Sequence, residues 1–227
     1  MTNSRGFLTG NQLKLIAATA MVLDHVGLMF FPQNPLLRII GRLAFPIFAF
    51  MIAEGCKYTR SRLRYFFHLF TLALVCQVVY FLADGSMYLS VLFTFSLSVL
   101  LIFALQYCKA KLSASRCLLF LASVAAVFLL NRLFIIDYGF WGCMLPVFAA
   151  ALHGTEFDRQ PMNTAMLTLG LVPLWLDLGG LQLYALAAVP LLLCYSGNRG
   201  KRKMKYFFYI FYPAHLALLQ IIVWLTA

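Results

Sequence analysis

The sequence predicts an all-α polytopic membrane protein, a bundle of about nine transmembrane helices forming one domain over residues 1–227, with its N-terminus inside and its C-terminus outside. Three observations carry this. Apolar residues fill 63% of the 227 positions and charged residues 11%, against about 45–50% and about 25% in soluble domains. A chain this short has too little interior to hide the surplus, so lipid must cover it. The apolar residues fall into stretches near the roughly 20 residues that cross a bilayer, and the basic residues are sorted between the intervening loops.

The first stretch is 12–31, preceded by a polar Met1–Gly10 with no short apolar region leading to a small-residue cleavage site. It is therefore expected to serve as the targeting segment itself. Pro32 and Pro35 end it, and 37–56 follows, with Pro46 in its middle. The third, 65–83, stops at Asp84-Gly85. Then come 88–107, 117–135 and 138–153, the last ended by Gly154; 163–178, ended by Gly179-Gly180; 181–195; and 206–226. Pro and Gly at these points are turn formers.

Orientation follows from the cations. With the N-terminus inside, the inner positions carry Arg5, Lys14, Lys57, Arg60, Arg62, Arg64, Lys109, Lys111, Arg116, Arg159, Arg199, Lys201, Arg202, Lys203 and Lys205, which is 15 of 18. Arg38, Arg42 and Arg132 remain. Basic loops stay cytoplasmic, and a span count wrong by one would put either the 57–64 or the 199–205 cluster outside.

The net charge of +11 is thus accounted for by topology. Nucleic-acid binding is excluded, because the run Arg199 to Lys205 is short, lies between two spans and has no stacking platform beside it. Cys56, Cys76, Cys108, Cys117, Cys143 and Cys194 are scattered with no CxxC pair, so they read as small buried hydrophobes and no metal site is expected. No internal repeat or soluble domain is visible.

Ionisable residues inside spans cost about 2.5–3.5 kcal/mol each on insertion scales and usually face a cavity or a partner. Asp24-His25 lies about 20 Å along the first helix, toward its outer end. Lys14, Ala18, Met21 and His25 share one face of that helix. One reading is a buried acid–base pair with the imidazole as general base; the other is a pair that pins helix packing. Arg42, in the outer part of the second span, either pairs with Asp24, binds an anionic group through its planar fork, or snorkels to the interface. Pro46 suggests a kink lining a cavity. Glu54, Lys57, Tyr58 and Arg60 sit at the inner end of the same span, where they either hold the phosphates of a cytoplasmic cofactor or act as solvated topology determinants. His215, two residues after Pro213, is either a structural hydrogen-bonder or part of the site. Asp137-Tyr138-Gly139 and Asp177 mark outer helix ends, and His68 and His153 fall near inner ones.

Leu23-Asp24-His25, the block Gly41-Arg42-Leu43-Ala44-Phe45-Pro46-Ile47-Phe48-Ala49-Phe50, Asp137-Tyr138-Gly139, and the C-terminal Phe211-Tyr212-Pro213-Ala214-His215-Leu216 resemble, in that order, the motifs of the TraX family. The matches span nearly the whole chain. The family's founding activity is N-terminal acetylation of a conjugative pilin, and it is similar to the acyltransferase-3 superfamily, which moves acyl groups from cytoplasmic acyl-CoA to extracytoplasmic acceptors.

The resemblance implies an inner-membrane, multi-pass acetyltransferase that takes acetyl-CoA as donor, needs no metal, and acts on a pilin amine or an envelope glycan. It implies His25 as base, Asp24 as its orienting or charge-balancing partner, and Arg42 as a substrate contact. It also implies His215, Asp137 and Tyr138 in the same cavity, and Glu54, Lys57, Tyr58 and Arg60 toward the cofactor. A small transporter or flippase with Arg42 and Asp24 on its path, or a non-catalytic assembly factor, fits the same composition.

Overall fold

The computed structural model describes residues 6–201 and 204–226, with backbone alone at 83, 84, 205, 206, 209 and 226. Arg5, Arg202 and Lys203 of the inner cation count lie outside the described residues. The described chain is helical, and its only bridges are the isolated Leu8–Tyr195 and Leu89–Ile136 pairs.

Helix α1 (Gly10–Phe30) starts on a capping box, in which the Thr9 hydroxyl and the Gln12 side chain satisfy each other's backbone N–H groups. It ends before Pro32. Asn34 caps α2 (Pro35–Gly41), whose first position is a proline. The expected span 37–56 is not continuous: α2 stops at Gly41 and α3 (Ala44–Tyr58) begins after a turn at Arg42–Leu43. Pro46 explains the position of the break. Its ring clashes with the carbonyl four residues earlier, which is that of Arg42.

The chain continues through α4 (Arg62–Asp84), α5 (Val91–Ala110), α6 (Ala114–Leu133), α7 (Gly139–Ala150) and α8 (Gln160–Leu178). The expected span 181–195 is a 3-10 helix (Gly180–Ala187) running into a short α9 (Ala188–Leu193), and α10 (Lys205–Thr226) closes the bundle.

Five segments are long and apolar enough to cross a membrane: Gly10–Phe30, Pro35–Tyr58, Arg62–Leu82, Val91–Ala110 and Ala114–Leu133. The apolar runs Gly139–Ala150, Gly180–Leu193 and Ile210–Leu225 are shorter. The 12 residues of α7 reach only about 18 Å. Many large apolar side chains face outward, among them Leu74, Val78, Leu118, Leu121 and Leu129. Along α6, Val127 is the one buried residue in 20, as a helix bathed in lipid requires.

The loops gather at two ends. At one, Leu8 N–H donates to the Cys194 carbonyl at 2.9 Å and Gly10 N–H to that of Asn198 at 2.8 Å. There Lys57 pairs with Asp158 at 2.8 Å, and Lys109 donates to the carbonyls of Ala151 and His153 at 2.8 and 2.7 Å. At the other, Leu89 N–H donates to the Ile135 carbonyl and Asp137 N–H to that of Leu89, both at 2.9 Å. The first end therefore collects the N-terminal segment and the loops after α3, α5, α7 and α9. The cysteines are less scattered in space than in sequence: the sulfurs of Cys108 and Cys117 lie 3.0 Å apart.

Glycines bring α1 and α2 together. A Cβ on Gly41 would stand 2.3 Å from the Asp24 Cβ, and one on Gly27 2.8 Å from that of Leu37. Small residues serve this purpose between membrane helices. Alanine in a helix normally gains about 1 kcal/mol over glycine. Gly41→Ala is expected to reverse that sign and destabilise by about 1–3 kcal/mol through overpacking. A thermal midpoint in detergent equal to that of the unaltered protein would show that α1 and α2 separate freely.

Candidate functional site

The close approach at Gly41 seats the Asp24 carboxylate beside the turn that carries Arg42. One Arg42 nitrogen, Nη2, donates to both carboxylate oxygens, at 2.6 and 2.7 Å. Its Nε donates to the Arg38 carbonyl at 3.3 Å and its Nη1 to Gln182 Oε1 at 3.5 Å. Arg38 Nε adds a second contact to Asp24 at 3.4 Å. The side chains of Arg42 and Asp24 are only 12% and 15% exposed, so the pair is desolvated enough that loss of one partner strands a charge. Two guanidinium groups thus face the Asp24 carboxylate, and the Asp137 carboxyl stands within electrostatic reach of Arg42.

Asp24 is not the orienting partner of His25. His25 Nδ1 lies 2.8 Å from the Met21 carbonyl. A carbonyl only accepts, so Nδ1 carries a proton, and Nε2 is the nitrogen that presents a lone pair when the imidazole is neutral. His215 repeats the arrangement, with Nδ1 donating to the Phe211 carbonyl at 3.0 Å. The two imidazoles meet edge to face with centroids 5.2 Å apart, and His215 also stacks on Phe211 at 5.1 Å. His215 Nε2 is buried and has no hydrogen-bond partner among the described residues.

Asp137, Tyr138 and Gly139 form the turn into α7. Tyr138 has φ +61° and Gly139 φ +59°, a left-handed conformation that strains a tyrosine. The result is that the Tyr138 ring lies flat on Phe45, with centroids 3.7 Å apart and planes 5° apart. Gly142 leaves room for it, since a Cβ there would stand 2.4 Å from that of Tyr138. Tyr88 donates to the Asp137 carboxylate at 2.6 Å, and Thr94 to its carbonyl at 2.5 Å.

These residues share one cavity of about 650 Å³, within the range of small-molecule sites. Asp24, His25, Arg42, Asp137 and Tyr138 line it toward the outer loops, and Asn11, Lys14 and Arg199 line it toward the N-terminal segment. Between them its wall is mostly apolar. His215 does not line it and reaches it through His25. Of these residues, sequence reasoning brought Asp24, His25, Arg42, Asp137, Tyr138 and His215 together. It missed Arg38 and Gln182, for which the one signal was an amide inside an apolar run, and Tyr88.

Glu54, Lys57, Tyr58 and Arg60 stand elsewhere. Glu54 accepts from the Tyr195 hydroxyl at 3.4 Å and lies 3.8 Å from His153 Nε2. Lys57 pairs with Asp158, which also accepts from Asn163 and from Gly154 N–H, both at 3.0 Å. Partial burial would raise the Asp158 carboxyl, but Lys57 and these donors overrule it and hold it at about 2. Tyr58 and Arg60 are exposed. This second network ties together the loops at the end that holds the N-terminal segment, and its residues do not line the cavity.

The arrangement offers an imidazole fixed through Nδ1, two guanidinium groups near it and a mostly apolar cavity. Compared with known proteins, the chain matches the family described as TraX protein over residues 9–223. It is 30% identical to "Probable fimbrial assembly protein FimC, serogroup H1" of Dichelobacter nodosus, over 92% of this chain and 93% of that one. It is 25% identical to "Protein TraX" of Escherichia coli, over 92% of this chain and 85% of that one. No solved structure matches.

Burial pushes the Asp137 carboxyl up to about 6, against the opposing pull of Tyr88 and Arg42. The folded protein then holds a proton between the ordinary 3.8 and about 6 that the unfolded chain has lost. The stabilisation is full at low pH and is lost as pH rises through about 6. Thermal midpoints measured across that window are expected to fall with pH in the unaltered protein and to lose this slope in Asp137→Asn. Equal slopes would place the titration on another group.

Proposed function

We propose a function from one premise: the chain belongs to the TraX protein family. On that premise it is a membrane-embedded acetyltransferase, moving an acetyl group from cytoplasmic acetyl-CoA to a pilin N-terminal amine or an envelope glycan on the far side. The relative named for fimbrial assembly favours the pilin class of acceptor. The observation that carries this reading is the placement of His25, its Nδ1 held by the Met21 carbonyl, on a cavity that also holds Arg42 and Asp24.

The chain would cross the inner, cytoplasmic membrane nine times, N-terminus inside and C-terminus outside. The 15 to 3 division of Lys and Arg supports this, as does the gathering of the N-terminal segment and the basic loops at one end of the bundle. The short α7, α8, the 3-10 run with α9, and α10 would complete the crossings beside the five long segments.

In the reaction, His25 Nε2 takes the proton of the acceptor amine or hydroxyl. The freed lone pair attacks the thioester carbonyl, and Arg42, with Arg38, stabilises the oxyanion that forms. The carbonyl re-forms as the C–S bond breaks, and the departing thiolate recovers the proton from the imidazolium. A transporter would use the same cavity as a path, but it would not hydrolyse or transfer the acetyl group.

Two measurements test the reading. A reporter active only in the cytoplasm, fused after Ala227, is expected to be silent, and activity there would overturn the odd span count. His25→Ala and His25→Gln are expected to slow acetyl transfer alike, by about 10²–10⁴-fold, with the protein still inserted and folded. Glutamine keeps the hydrogen bond to Met21 and cannot take a proton, so near-normal turnover in a folded His25→Gln protein would remove His25 as the base.

A further inference from the structure

We propose that Lys14 and Arg199 hold the diphosphate of coenzyme A, and that α1 is the ruler that sets the thioester against His25. The inference rests on the acetyl-CoA reading above. Lys14, Met21 and His25 line the same cavity. Lys14 and His25 are 11 residues apart on one helix, which is about three turns and about 16 Å. They therefore stand on one face at opposite ends of the passage.

The pantetheine arm between diphosphate and sulfur has about as many bonds as four residues of extended chain, or about 14 Å. With the diphosphate at Lys14, the thioester falls beside His25. The wall between them includes Phe48, Met51 and Ile52, apolar as a mostly uncharged arm requires. A longer helix segment would leave the thioester short of the imidazole, and a shorter one would push it past Arg42.

The inner end is built for a charged group. Gly10 N–H donates to the Asn198 carbonyl at 2.8 Å and Asn11 N–H to that of Arg199 at 3.0 Å, which fixes Arg199 beside the start of α1. Arg199 is exposed at the cavity mouth and Lys14 half-buried behind it. The Lys14 ammonium lies 5.8 Å from the centre of the Phe208 ring, and neither cation has a carboxylate partner among the described residues. Two adjacent cations without counter-charge, one of them inside a membrane helix, ask for an anion from outside the protein.

The test measures coenzyme A binding to the purified full chain by calorimetry, with the thermal midpoint of the unliganded protein beside it. Lys14→Met and Arg199→Gln are each expected to weaken coenzyme A binding by about ten- to a hundredfold, as loss of a hydrogen bond to a charged group does. Their midpoints should stay unchanged, and Lys14→Arg should keep most of the affinity. Unaltered affinity in both neutral variants would overturn the proposal and leave the acetyl-CoA reading standing. Loss of affinity in Lys14→Arg together with a lowered midpoint would assign Lys14 to packing and overturn it too. No coenzyme A binding by the unaltered protein would overturn both.

Discussion

The ion pair between Arg42 and Asp24 is the constraint around which its half of this bundle is arranged. In an apolar surrounding, a lone carboxylate or guanidinium strands several kcal/mol, and breaking a buried pair costs about 3–5 kcal/mol. Each element near the pair serves to keep it made. Gly41 lets α2 press against Asp24. Pro46 interrupts the helix so that Arg42 sits in a turn rather than in a regular ladder. The 3-10 helix brings Gln182 to Arg42 Nη1. The pair itself adds little net stability, because desolvation offsets most of its attraction. What it fixes is geometry: the first helix, the broken second span and the 3-10 segment meet at one point.

That point could be read from the sequence only in part. Asp24, His25 and Arg42 stood out because charge within an apolar run is expensive, and the same reasoning drew in His215, whereas Asp137 read as a helix end and joined them through the motif resemblance. The break at Arg42 was harder to place. Pro46 announced a distortion, but proline acts on the carbonyl four residues earlier, so the turn falls at the arginine and not at the proline. Arg38 counted only as one more outer cation, since its contact to Asp24 depends on the packing of α2 on α1. The 3-10 geometry of Gly180–Ala187 left no mark in the apolar pattern, because a run of apolar residues suits both helix types.

The basic cluster after α3 stayed ambiguous in the sequence. Glu54, Lys57, Tyr58 and Arg60 are neighbours there and fit either a phosphate-holding group or solvated topology determinants. In space Glu54 and Lys57 turn to His153, Tyr195 and Asp158, the last of these 101 positions later in the chain. Local charge density cannot reveal a partner at that separation. Lys14, by contrast, was one cation among fifteen in a topology count. Its place on the cavity follows from the face it shares with Met21 and His25, and that face was visible in the helical spacing.

The two polar networks divide the labour of the fold. At the inner end, Lys57 with Asp158 and Lys109 with the carbonyls of Ala151 and His153 close the loops on one another. At the end where Asp24 meets Arg42 several bonds are left incomplete, as are those of His153 Nδ1 and Asn163 Oδ1 at the first end. Gln182 Nε2 and His215 Nε2 are buried without partners among the described residues, and Arg42 Nη1 has only a long contact. Buried polar groups are nearly always satisfied, and an apolar bundle has little water to supply the difference. Under the proposed acyl transfer, Arg42 is the donor already on the cavity and largely dehydrated, so it would need little rearrangement as charge develops on a carbonyl oxygen. The two ends differ in how their cations are held: Lys57 and Lys109 are bonded at short range within the protein, whereas Arg42 keeps Nη1 on a long contact.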